Sequence, residues 1–128
     1  MIDPSKKQLF WVRAGHDPAV FYDPSTDTFE ELSGSGVALG VMEDSIFKAY
    51  TKTEIRKGQL IFLSTNGIWE ACNLKGEMFG KERIYDTIRK NSSLCADEII
   101  NRMLASLKGF QQGALMEDDI AMVIIKIN

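Results

Sequence analysis

Two short polar segments stand out because each directly joins an apolar run. Residues 65–70 follow the apolar run 59–64, and the acidic residues 117–119 precede the last apolar run of the chain, 120–127. Oxygen ligands at the end of a strand, on a rigid sheet, are a common way to hold a hard cation such as Mg²⁺ or Mn²⁺. The two segments can meet only if their strands are neighbours. Turn chemistry is the alternative, since Asn-Gly is a common tight-turn dipeptide and an acidic triplet is usually a solvated loop.

Other candidates for chemistry are few. His16 is the only histidine and lies between two predicted strands. Imidazole titrates near neutrality, so His16 could act as a general acid, or it could simply pack and hydrogen-bond within a turn. A single histidine cannot build a histidine-rich zinc site, and no Walker or Rossmann phosphate loop occurs. Cys72 and Cys95 fit neither a zinc site nor a disulfide framework, which indicates a reduced, cytoplasmic protein.

Composition excludes several classes of protein. The formal net charge is -3 and the basic residues are scattered, which argues against a nucleic-acid platform with a clustered basic face. No run of apolar residues is long enough to span a membrane. The start of the chain lacks the basic and apolar regions of a signal peptide. A length of 128 residues allows one domain with its own core.

The apolar patterns predict strands first and helices later. Alternating or continuous apolar runs predict strands over 8–13, 19–22, 28–32, 46–55, 59–64 and 120–127. Apolar residues at helical spacing predict helices over 82–90 and 96–108, with Gly109 as the stop and 111–119 as a loop. Hairpins followed by two helices and one returning strand indicate the α+β class.

Six short motifs then occur in a distinctive order. They are Ala-Gly-His-Asp-Pro at 14–18, Leu-Gly-Val at 39–41, Lys-Gly-Gln-Leu at 57–60, Ser-Thr-Asn-Gly-Ile-Trp-Glu-Ala at 64–71, Gly-Glu-Met-Phe-Gly at 76–80 and Glu-Asp-Asp-Ile-Ala at 117–121. In this order and spacing the chain resembles, along its whole length, the C-terminal part of SpoIIE/RsbU-type phosphatases. These are bacterial members of the protein phosphatase 2C-like (PPM) superfamily of serine/threonine phosphatases.

The resemblance implies an αββα sandwich with a two-metal centre at its edge. In such enzymes Mn²⁺ or Mg²⁺ activates a water that attacks the phosphoserine phosphorus without a phosphoenzyme. The family's metal ligands correspond here to Asn66, which replaces the Asp of a Thr-Asp-Gly motif, and to Asp118, the first Asp of an Asp-Asp-Ile-Thr motif. Gly67 and Asp119 would lie beside these ligands. His16 does not match the catalytic histidine of the superfamily.

The resemblance also implies a place in a larger domain. Residues 1–128 would be the C-terminal portion of a single PPM domain whose N-terminal part, with further acidic ligands, is missing. The expected function is metal-dependent hydrolysis of phosphoserine on a protein such as an anti-anti-sigma regulator of a partner-switching pathway. This chain alone would be nearly inactive. It would associate with itself through unpaired strand edges and uncovered apolar faces of strands such as 60–63, or rearrange its strands to cover them. Two alternatives stay open: a non-catalytic pseudophosphatase or binding module, which Asn66 favours, and a fragment without activity of its own.

Overall fold

The structure is a computed structural model that describes residues 1–114 and 118–128. These residues form seven strands and three helices, which confirms the α+β class. The strands are β1 (Ile2–Asp3), β2 (Gln8–Val12), β3 (Ala19–Asp23), β4 (Thr28–Leu32), β5 (Ala49–Lys52), β6 (Leu60–Ser64) and β7 (Met122–Lys126). The helices are α1 (Gly67–Glu70), α2 (Gly80–Asn91) and α3 (Ala96–Gln111).

The strands form two antiparallel sheets that pack as layers. One sheet has the order β1-β2-β5, and the other has the order β4-β3-β6-β7. Side chains of a strand alternate between its faces, and β6 shows this clearly. Leu60 and Phe62 pack in a core with α2 and α3, whereas Ile61 packs in a second core with Leu9 of β2. The four-stranded sheet is therefore covered by helices on one face and by the other sheet on its opposite face.

The boundaries of two predicted elements were wrong. The strand predicted over 46–55 shrinks to Ala49–Lys52, because Glu54 has a φ of 60° and the N–H of Ile55 donates to the carbonyl of Lys7 instead. Helix α3 does not stop at Gly109. It continues to Gln111, whose side chain is buried, and ends where Gln112 adopts the left-handed conformation.

Two smaller differences concern the polar segments. Residues 65–70, predicted as loop, contain the single helical turn of α1. The last strand, predicted over 120–127, is shorter at both ends, since β7 spans Met122–Lys126. Of the predicted acidic triplet, Asp118 and Asp119 are described, and Glu117 lies outside the described residues. No helix in the described part of the chain is both long and apolar enough to cross a bilayer.

Candidate functional site

The two polar segments lie at the same end of the four-stranded sheet. Strands β6 and β7 are antiparallel neighbours, and Ser64 at the end of β6 pairs with Met122 at the start of β7. One residue further on, the N–H of Thr65 donates to the carbonyl of Ala121 at 3.0 Å. Residues 65–67 and residues 119–121 are therefore adjacent. The two strands are thus neighbours, which is the condition under which the sequence allowed the segments to meet. Metal binding by Asn66 and Asp118 stays a prediction.

Thr65 ties the two segments together through its side chain. Its hydroxyl donates to the carbonyl of Asp119 at 3.1 Å and accepts from the N–H of Ala121 at 3.0 Å. With its backbone N–H, Thr65 makes three hydrogen bonds to the segment before β7. Sequence reasoning missed this role. The only local signal is a hydroxyl residue directly after a buried strand, which does not reveal its distant partners.

Gly67 is required by the close approach of the segments. It is buried, and a Cβ atom at this position would lie 2.7 Å from the carbonyl oxygen of Asp119. Contact at that distance is repulsive, so any larger residue would push α1 away from the segment before β7. The structure thus gives Gly67 a steric role in the fold, and its place beside a metal ligand stays a prediction.

Replacing Gly67 with alanine should therefore destabilise the protein and separate the two segments. We expect a loss of about 1–3 kcal/mol in the free energy of unfolding, as for other overpacked sites, measured by urea denaturation. Gly109→Ala is the matched control, because Gly109 is inside α3 with no atom within 4 Å of a built Cβ. That change should stabilise by about 0.5–1 kcal/mol. Equal effects of the two substitutions would contradict the steric argument.

The predicted ligands have different hydrogen-bond environments. Nδ2 of Asn66 donates to Oε2 of Glu70 at 2.8 Å, and Oδ1 of Asp118 accepts from the N–H of Asp119 at 2.8 Å. All four residues are exposed. Glu70 is the second site residue that sequence reasoning did not single out, although Asn and Glu four residues apart are the spacing at which helical side chains meet.

An open cleft lies beside the first of these segments, residues 65–70. Its lining combines one turn before β3 with α1 and the start of α2: Gly15, His16, Asp17, Thr65, Asn66, Trp69, Glu70 and Lys81. His16 lies in a turn, as one interpretation of the sequence held, with Nδ1 2.9 Å from the carbonyl of Asp17. A carbonyl only accepts, so in the neutral ring Nδ1 carries the proton and Nε2 is the basic nitrogen. His16 is thus both a turn residue and part of the cleft wall.

Lys81 closes one side of the cleft. Its ammonium donates to Oε1 of Glu31 at 2.6 Å and lies 5.4 Å from the centre of the Trp69 ring. The hydrogen bond to Glu31 raises the pKa of Lys81, so this side chain stays charged. The Lys81–Glu31 ion pair links the start of α2 to β4, so the ammonium of Lys81 is already paired with a carboxylate.

The predicted ligands, Asn66 and Asp118, carry oxygen donors of the kind that hard cations prefer, but they are only two residues. Asn66 and Asp118 offer an amide oxygen and a carboxylate, and oxygen donors are what Mg²⁺ and Mn²⁺ prefer. Among residues 1–114 and 118–128, however, no group of three or more acidic, histidine or cysteine side chains could hold a metal ion. Asn66 and Asp118 thus offer donors of the right kind without forming such a group among the described residues, and their role as ligands stays a prediction.

Comparison with known proteins gives the family. The family model described as Stage II sporulation protein E (SpoIIE) matches residues 1–128 of the sequence. The chain is 31% identical over its whole length to Protein IcfG of Synechocystis sp., covering 20% of that protein. It is 26% identical, over 94% of its length, to phosphoserine phosphatase RsbU of Bacillus subtilis, covering 35% of it. The chain thus spans about a fifth to a third of these curated relatives.

Solved structures show the same fold. The SiaA-PP2C domain of Pseudomonas aeruginosa matches with a TM-score of 0.83 at 23% identity, over 98% of this chain and 49% of that one. RsbX in complex with magnesium matches with a TM-score of 0.60 at 20% identity, over 96% of this chain and 51% of that one. The family match leads to one conclusion: the chain belongs to the SpoIIE family, and its fold is that of the solved PP2C domain.

Proposed function

We propose that the protein containing this chain is a metal-dependent phosphatase that hydrolyses phosphoserine on a protein, and that this chain supplies one side of its metal centre. The observation that carries the proposal is the meeting of residues 65–67 with residues 119–121 at one end of the four-stranded sheet, where Thr65 and Asn66 also line an open cleft. The name of the relative RsbU, a phosphoserine phosphatase, supports a phosphoserine substrate.

Each residue of the site has a separate task in this proposal. Asp118 and Asn66 would hold Mn²⁺ or Mg²⁺, which supplies one kind of chemistry: it makes a bound water acidic enough to be deprotonated near neutral pH. Thr65 and Gly67 keep the two ligand segments in contact. His16 forms part of the cleft wall, held by the contact of Nδ1 with the carbonyl of Asp17. The open cleft admits a phosphorylated segment of a protein.

The relatives also support a place in signalling. We propose that the substrate is a phosphorylated anti-anti-sigma protein of a partner-switching pathway. Two likenesses support this substrate: RsbU of Bacillus subtilis is similar in sequence, and the RsbU and RsbW domains of a Mycobacterium tuberculosis protein are similar in fold. The scattered basic residues give no reason to propose a nucleic-acid partner.

Hydrolysis of a phosphoserine peptide tests the proposed function. We expect the full-length protein to turn over the peptide with Mn²⁺ and to lose activity with a chelator. The 128-residue chain should show only background hydrolysis, because it supplies one side of the centre. Robust turnover by this chain alone would contradict the shared centre. A full-length protein that binds the phosphorylated protein without hydrolysing it would favour the non-catalytic binding module instead.

The asparagine at position 66 gives a sharper test of that alternative. Asn66→Asp in the full-length protein adds one negative charge beside the cation, and affinity for hard cations rises with the charge of the ligands. We expect Mn²⁺ affinity to rise on the order of tenfold, as measured by calorimetry, with higher activity at limiting metal. Asn73→Asp is the control, since Asn73 forms a similar pair with Glu77 outside the cleft lining. Equal affinities of wild type and Asn66→Asp would show either that residue 66 is not a ligand or that charge at this position does not matter.

The isolated chain should also associate with itself. The prediction of uncovered apolar faces on residues 60–63 was wrong for Leu60, Ile61 and Phe62, which are buried between the helices and the second sheet. Strand β7, however, lies at the edge of its sheet, and an open strand edge can recruit other chains. Several large apolar side chains between β4 and β5 are exposed, up to 91% for Ile46, and large apolar patches favour association. Size-exclusion chromatography with light scattering should give a mass above that of one chain. A monomer that binds no hydrophobic dye would show that these surfaces are tolerated.

A further inference from the structure

Asn66 and Glu70 form a side-chain pair on the cleft wall. The donor is Nδ2 of Asn66 and the acceptor is Oε2 of Glu70, at 2.8 Å. Beneath this pair, the backbone N–H groups of Trp69 and Glu70 both donate to the carbonyl of Asn66 at 3.1 Å. One helical turn thus brings the two side chains to the same side of α1, and both side chains line the cleft.

The two ends of the Asn66 amide are not equivalent for a cation. The oxygen can coordinate a metal ion, whereas the NH₂ group only donates hydrogen bonds. A carboxylate beside the amide attracts the NH₂ group through a charge-assisted hydrogen bond and repels the oxygen. Glu70 therefore favours the orientation in which the Asn66 oxygen is directed away from the carboxylate.

Asn73 forms a similar pair with a glutamate, but its side-chain oxygen has a different environment. Asn73 also donates from Nδ2 to a glutamate four residues later, Glu77, at 2.7 Å. Its oxygen, however, accepts from the backbone N–H groups of Lys75 and Glu77 and is used within the turn. The described residues donate no such hydrogen bond to Oδ1 of Asn66. The Asn66 oxygen is thus available to a ligand in the cleft.

We propose that Glu70 is a positioning residue for the metal centre. It holds the nitrogen of Asn66, so that the amide oxygen is the atom offered to the cation, and it supplies close by the negative charge that asparagine lacks. This inference rests on the proposed function, because it needs a metal ion beside Asn66. It explains how a site with asparagine at this position can still present an oxygen in a defined orientation.

Calorimetric titration of the full-length protein with Mn²⁺ tests the inference. Glu70→Ala should weaken Mn²⁺ affinity about tenfold, the lower end of the effect of losing a residue that orients a ligand. Glu77→Ala, which removes the same kind of pair outside the cleft lining, should leave the affinity unchanged. Both glutamates are exposed, so metal-free thermal unfolding should show that the variants remain folded.

The Asn66→Asp background separates orientation from charge. Both oxygens of a carboxylate can coordinate, so no orientation remains to be selected at position 66. Glu70→Ala should then weaken Mn²⁺ binding much less than it does with Asn66. The same fold-change in both backgrounds would mean that Glu70 acts only as a nearby charge and would overturn the inference. So would unchanged affinity in Glu70→Ala, while the proposed function would stand. A wild-type protein that binds no Mn²⁺ would overturn both.

Discussion

Replacing Asp118 with alanine in the full-length protein should lower Mn²⁺-dependent hydrolysis of a phosphoserine peptide by more than about 100-fold. Loss of residues that merely orient metal ligands already lowers affinity or activity by about 10–100-fold, and a direct ligand should matter more. Asp118 is exposed and directly precedes Asp119, whose carbonyl accepts a hydrogen bond from the hydroxyl of Thr65. We therefore expect weaker Mn²⁺ binding and slower turnover, measured by calorimetry and by phosphate release.

Two further variants make this result specific. Asp118→Asn keeps an oxygen that can accept from the N–H of Asp119, as Asp118 does at 2.8 Å, and removes only the charge. It should therefore lose activity without losing stability. Asp97→Ala removes an exposed carboxylate from the first turn of α3. Its activity should match the wild type, with a loss of stability of at most about 1 kcal/mol. Normal Mn²⁺ affinity in Asp118→Ala would contradict the ligand assignment.

Replacing Phe79 with alanine should have the largest effect on stability. Phe79 is fully buried, directly precedes α2 and packs edge-on against Phe110 of α3, with ring centres 5.4 Å apart. Its N–H also donates to the carbonyl of Ala71 at 2.8 Å, directly after α1. Truncation of a buried phenylalanine costs about 3–5 kcal/mol. A typical domain has only about 5–15 kcal/mol of stability, so a large share should be lost.

Urea denaturation of the variant chain measures this loss. Leu104→Ala is the control on the neighbouring helix, because Leu104 is 45% exposed. It should lower the free energy of unfolding by less than about 1 kcal/mol, since little apolar area leaves the core. Phe79→Leu should recover much of the loss because it refills most of the volume. A loss below about 1 kcal/mol in Phe79→Ala would show that the helices do not depend on this side chain.

Local patterns were enough to predict most of the elements. The continuous apolar run before Ser64 indicated a strand buried on both faces, and β6 packs in both cores. Helical spacing of apolar residues predicted α2 and α3, whose inward faces carry Ile84, Ile99 and Met103. These predictions succeed because side-chain periodicity depends only on residues a few positions apart.

Boundaries were harder to predict because tertiary contacts set them. A positive φ at Glu54, and the hydrogen bond of Ile55 to Lys7, shorten β5. Beyond Gly109, Phe110 packs against Phe79, and α3 continues through it to Gln111. Neither effect has a counterpart in the neighbouring sequence, since each depends on what another part of the chain places nearby.

By itself, the sequence determined which segments could carry oxygen ligands and, through the order of its motifs, which family they resemble. Only the tertiary structure brought those segments together, because the pairing of β6 with β7 joins residues such as Thr65 and Ala121, 56 positions apart. It also revealed three contacts: the hydroxyl of Thr65 bonded to the segment before β7, the close approach of Gly67 to the carbonyl of Asp119, and the hydrogen bond from Asn66 to Glu70. Residue type limits what a side chain can do, whereas its partners are set by long-range packing that no local pattern encodes.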